Sequence, residues 1–196
     1  MAKNYKYLIA AGLSGLLLAL AYPGWGFGVG SGPAGGLSFL VWVGLVPFFW
    51  SFNVIVRHYD RSNIKVLWKQ FVILGLVAGL AYFLIIFRWL WSVFPLNTLG
   101  IESSVASFVV ILILWFVSAA GMAVWWGIFG LVYSWWFVVC RKNNYSLLIV
   151  PASFALFEYL RSWFFGILWA GSGSLFGAHW TMGNLAYSLA GNPLAR

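Results

Sequence analysis

From Val105 to Val139 the chain runs without a single charged residue. Wound as one α-helix, at about 1.5 Å per residue, this run extends roughly 50 Å. The hydrocarbon core of a bilayer is about 30 Å thick. No water-soluble fold exposes or buries such a segment comfortably, so the run fixes the class as an all-α membrane protein. Either it is one long tilted helix, or a hairpin turns near Gly121.

Composition agrees with that class. Of 196 residues 63% are hydrophobic and only 7% charged, too few charges to solvate a soluble domain of this size. Aromatic residues reach 21%, including 14 Trp, a pattern of heavy anchoring at membrane–water interfaces. The formal charge of +8 sits in short connections between apolar runs rather than along one face. It therefore reads as a topology signal and not as a nucleic-acid surface.

Five transmembrane helices are expected, at about 8–22, 37–54, 71–91, 105–139 and 146–165, so that 1–169 forms a multi-span region. Ala19 and Ala21 imitate a signal-peptide cleavage site, but the aromatic and proline residues that follow favour a retained first helix. With the N-terminus cytoplasmic and 105–139 a single helix, Lys3, Lys6, Arg57, Arg61, Lys65, Lys69, Arg141 and Lys142 all face the cytoplasm. Only Arg88, Arg161 and Arg196 then lie toward the outside. A hairpin at Gly121 would move Arg141 and Lys142 outward and weaken this asymmetry, so the single helix is preferred.

Small residues and prolines add local expectations. Gly12 and Gly15 in the first span, and Gly75 and Gly79 in the third, are spaced to let a neighbouring helix approach closely. Pro47 is expected to kink the second span. The glycine-rich stretch 23–36 follows a membrane helix rather than a strand, so it reads as a re-entrant or interfacial loop and not a nucleotide-binding fingerprint.

Ionisable residues inside spans are the candidate site. In Ser146 to Trp169, Glu158 and Arg161 stand at i and i+3, on one helix face and within reach of each other. They come near the far end of that helix, amid Tyr159, Trp163, Phe164 and Phe165, which suggests a charged pair at a membrane boundary. Arg88 lies beside Trp89 and Trp91 at the end of the third span, where an arginine snorkels to phosphate or pairs with an acid such as Glu102 or Glu158. Arg88, Glu158, Arg161, Trp89, Trp91 and Trp163 are thus the lipid-headgroup candidates, with an interhelical salt bridge and aromatic belt as the structural alternative. Cys140 reads as a small apolar residue at a helix end, and His58 and His179 are too far apart in sequence to suggest a metal site. No catalytic residue, cofactor or metal is expected. After Trp169 the chain becomes a mixture of small, polar and aromatic residues, so 170–196 reads as an extracytoplasmic interfacial segment, apparently truncated.

Several of these patterns together resemble the N-terminal membrane region of apolipoprotein N-acyltransferase, a bacterial lipoprotein-maturation enzyme. They are Ala21-Tyr22-Pro23, the set Gly75, Gly79, Tyr82 and Phe83 leading to Trp89-Leu90-Trp91-Ser92, and Glu158-Tyr159-Leu160-Arg161-Ser162-Trp163 with Gly166 and Trp169 beyond it. Leu168 departs from the proline usual in that family. The resemblance implies an inner-membrane protein whose family moves an acyl chain from phospholipid to the N-terminal amine of a diacylglyceryl-cysteine lipoprotein. That chemistry belongs to a nitrilase-like domain with a Glu-Lys-Cys triad, acting by a ping-pong thioester scheme. No lysine follows Lys142, and neither Cys140 nor Glu158 matches the triad, so this chain alone is expected to be inactive. Phospholipid and lipoprotein acyl chains, and a separate nitrilase-like domain, are the implied partners. The alternatives are a small multi-pass transporter or channel subunit, or a non-catalytic membrane scaffold.

Overall fold

The computed structural model describes residues 5–22, 39–57, 64–139, 146–170 and Leu185, with only the backbone given for 138–139, 146–151 and 165–170. All regular structure among these residues is helical. It comprises α1 (Tyr5–Ala21), α2 (Leu40–Gly44), α3 (Val46–Arg57), α4 (Ile64–Ile86), α5 (Ser104–Val139) and α6 (Ser146–Ala170). Among the described residues three stretches are long and apolar enough to cross a membrane: Leu40–Arg57, Ile64–Val93 and Ser104–Phe137. Tyr5–Ala21 is a shorter apolar helix. The loop at 23–36, His58, Cys140, His179 and, apart from Leu185, the segment beyond Ala170 lie outside the described residues.

The charge-free run is one continuous helix of 36 residues and does not fold back at Gly121. Among the described residues nothing lies against Gly121, so none of them forces a turn there. The second span is interrupted at Leu45, between α2 and α3. Pro47 explains the position: it has no N–H for the carbonyl of Val43, one turn earlier, and its ring crowds that carbonyl.

α1 runs antiparallel to α2–α3 and parallel to α4. Ser51 Oγ donates to the Tyr7 carbonyl at 3.3 Å near one end, and Ser14 Oγ donates to the Gly44 carbonyl farther along. These bonds matter because a buried hydroxyl without a partner is costly away from water. Past Ile86, α4 tightens into a 3₁₀ segment, Phe87–Val93. A second 3₁₀ turn, Leu96–Leu99, closes on Gly100 at φ 81°, a left-handed conformation that glycine adopts without a Cβ clash. This corner turns the chain back into α5.

The centre of the bundle is the crossing of α4 and α5. A Cβ on Gly75 would collide with the carbonyl of Trp126, and one on Gly79 would come within 3.0 Å of the Ala123 backbone. On the other side, a Cβ at Gly130 would collide with the Phe71 carbonyl. Small residues therefore bring two backbones into van der Waals contact, which is how apolar helices associate when lipid is as apolar as their side chains. Gly15 does the same for α1 against Ala78, whereas Gly12 meets Val77 at an ordinary 3.7 Å.

Candidate functional site

The close crossing of α4 and α5 leaves large side chains on either side of it to fill the space toward α3 and α6. Trp126 fills the largest part. It is 2% exposed, stacks on Tyr82 of α4 at 5.5 Å and 16°, and meets Phe83 of α4, Phe154 of α6 and Phe48 of α3 at 5.4–6.2 Å. Offset and edge-on contacts of this kind add to the stabilisation from burial alone.

An indole buried this deeply needs an acceptor for its N–H. Glu158 supplies it: Trp126 Nε1 donates to Glu158 Oε1 at 3.1 Å. The same carboxylate accepts from Arg161 Nε at 3.3 Å and from Arg161 Nη2 at 3.0 Å, a two-pronged ion pair along one turn of α6. Arg161 is fully buried and Glu158 is 6% exposed. The guanidinium lies 5.3 Å from the Phe83 ring centre, and its Nη1 donates to Met122 Sδ at 3.6 Å. Ring faces and thioether sulfur accept part of a cation's field where water cannot reach. The pair predicted from i, i+3 spacing is thus present, and α4 and α5 enclose it.

The pair is buried between helices. Helix α6 continues from Arg161 to Ala170, about 14 Å farther along its axis. Glu158 and Arg161 sit within the helix rather than at its end, behind packed side chains. Arg88, by contrast, is exposed on the 3₁₀ segment, as is Trp89 at 43%. Trp91, half-buried, packs on Phe108 at 5.3 Å and on Trp115 at 5.9 Å, and Trp115 Nε1 donates to the Leu84 carbonyl at 2.8 Å. Trp163 is half-buried on α6. Hence the six residues fall into two groups: Arg88, Trp89 and Trp91 at the α4–α5 corner, and Glu158, Arg161 and Trp163 on α6.

Sequence reasoning missed Trp126 and Met122 as partners of the pair. Their i, i+4 spacing puts both on one face of α5, and the small residues Ala119 and Ala123 beside them mark that face. The signal is faint because every face of α5 is apolar. Among the described residues no cluster of three metal-ligating side chains is present.

The arrangement is an internally neutral, water-excluded brace, and its carboxylate is occupied by three donors. It can hold helices in register.

A family model described as the apolipoprotein N-acyltransferase N-terminal domain matches residues 14–196. A curated relative, named apolipoprotein N-acyltransferase, from Gloeobacter violaceus (strain ATCC 29082 / PCC 7421), is 38% identical over 95 residues. That match covers 48% of this chain and 14% of the relative. No solved structure matches the chain.

Proposed function

The chain belongs to the apolipoprotein N-acyltransferase family, through that family's N-terminal domain, and from this premise we propose that it is the membrane module of such an acyltransferase. In this reading it sits in the bacterial inner membrane with five spans and a cytoplasmic N-terminus. It anchors a nitrilase-like domain and offers phospholipid and lipoprotein acyl chains a lateral, outward-facing approach. The acyl group passes from phospholipid to that domain's thiolate, and then to the amine of the lipoprotein's diacylglyceryl-cysteine.

The observation that carries the reading is the Trp126–Glu158–Arg161 brace, which ties α5 to α6 and sets the Arg161 guanidinium against the Phe83 ring of α4. The exposed side chains of Arg88 and Trp89, with Trp91 behind them, form the surface suited to a phospholipid headgroup. An arginine beside indole rings fits both the phosphate and the interface around it. Glu158 and Arg161 serve that surface from within by fixing the helices that present it, and Trp163 extends the aromatic lining along α6.

Two measurements test the proposal. The purified chain in lipid nanodiscs should show no acyl transfer to a diacylglyceryl lipopeptide; turnover by the chain alone would overturn the division of labour. In a Cys140→Ser background, Asn97→Cys should react with an impermeant thiol reagent from the periplasmic side and Lys65→Cys only after the membrane is opened. The reverse pattern would invert the topology and remove the headgroup role.

A further inference from the structure

At the opposite end of the bundle from the α4–α5 corner, α1, α3 and α4 line an open cleft of about 120 Å³. Its lining is mainly apolar, from Leu8, Ile55, Ile73 and Leu74, with Tyr7 and Gln70 as its polar members. An apolar cavity of about 150 Å³ accommodates a benzene-sized ligand, so this one seats a short length of hydrocarbon.

Exposed cations stand close to its lining residues along each of the three helices. Lys65, Lys69 and Ile73 follow one another at i, i+4 and i+8 on α4, so two exposed lysines form a stripe leading into the cleft wall. Lys6 adjoins Tyr7 at the start of α1, and Arg57 ends α3 two residues after Ile55. Of the three acids in the chain, Glu102 precedes α5 at the far end and Glu158 is held in the brace, while Asp60, between α3 and α4, lies outside the described residues. A hydrocarbon slot beneath a row of lysine ammonium groups is complementary to one class of molecule, with a tail and a negative head.

We propose that this cleft binds one anionic glycerophospholipid, its acyl chain lying between Leu8, Ile55, Ile73 and Leu74 and its phosphate held by Lys65 and Lys69. The site is separate from the headgroup surface at Arg88 and does not depend on the acyltransferase reading. Lysine stems bury along apolar surface while their ammonium groups reach the phosphate level, which matches the descent from Lys65 to Ile73. Both neutral and anionic lipids fit the slot, and the lysines supply the discrimination.

Native mass spectrometry of the intact chain, released from detergent with phosphatidylglycerol or phosphatidylcholine of identical tails, tests this directly. One phosphatidylglycerol should be retained in preference to phosphatidylcholine. K65Q and K69Q should each lower that preference about fivefold. Ile73→Trp, which fills the slot, should reduce retention of both lipids while leaving the charge intact; Ile73→Phe provides a milder filling if the larger ring disturbs folding. Glycerol phosphate, the headgroup without tails, should not compete. Equal binding of the two lipids, or a preference that survives K65Q/K69Q, would overturn the proposal. So would unchanged retention in both Ile73 variants, which would mean surface charge acting without a slot. Competition by glycerol phosphate would indicate a free-anion site, and a doubled mass without lipid would assign the cleft to a second copy of the chain; either outcome also defeats it.

Discussion

Trp126 of α5 donates its indole N–H to the Glu158 carboxylate of α6 at 3.1 Å, while Arg161 grips the same carboxylate from within α6. One acid therefore satisfies both the indole and the guanidinium, in a place where neither finds water. The bond runs between helices, and the ion pair within one. This division determines how the bundle responds to substitution.

Removing one charge leaves the other stranded. Arg161→Leu and Glu158→Leu should each destabilise the bundle by about 3–5 kcal/mol, because an unpaired charge is buried. The double variant should be more stable than either single one, since no charge remains to be solvated. Unfolding in detergent micelles, followed by far-ultraviolet circular dichroism, compares the three.

Trp126→Phe keeps most of the ring and deletes the donor. The expected loss is about 1.5–3 kcal/mol, typical of a hydrogen bond to a charged group. Trp126→Ala should cost about 3–5 kcal/mol, because it also empties the space between Tyr82, Phe83 and Phe154. The same micelle unfolding assay separates the donor from the volume.

Gly75→Ala places a methyl group against the Trp126 carbonyl, so α4 and α5 must separate. A destabilisation of about 1–3 kcal/mol is expected, together with a lengthened Trp126–Glu158 bond. Gly121→Ala meets none of the described residues and should be neutral to stabilising, by up to about 1 kcal/mol, because alanine favours a helix interior over glycine. Intrinsic tryptophan fluorescence during unfolding reports both.

Ser14→Ala deletes the hydroxyl that bonds the Gly44 carbonyl at the end of α2. Interhelical bonds of this kind average about 0.6 kcal/mol and reach about 1.7. A loss within that range is expected, with faster backbone hydrogen exchange confined to α1 and α2. Exchange that quickens equally in α5 would show that Ser14 supports more than its own helix pair.

Much of this architecture was legible in the residues. The single helix at Ser104–Val139 followed from the charge asymmetry of the loops around it, the break before Pro47 from the missing N–H, and the close crossing at Gly75 and Gly79 from small-residue spacing. The Glu158–Arg161 pair followed from i, i+3 geometry. Its burial between helices did not, because aromatic residues flank both interfacial and buried charges. Of the two acids considered for Arg88, Glu158 is engaged by Arg161 and Trp126 instead.

The sequence by itself determined the class and the pairing within one turn of α6. These depend on hydrocarbon thickness, backbone hydrogen bonding and helical repeat, all local quantities. Only the tertiary structure decided which tryptophan reaches the carboxylate and which charges leave the surface. In α5 Trp125 and Trp126 are equally apolar neighbours, yet one closes the brace and the other meets Phe164 at 5.2 Å. Where lipid and protein interior are equally apolar, no hydrophobic period marks the inner face. The choice falls to backbone approach at the glycines, a contact between segments that no single segment encodes.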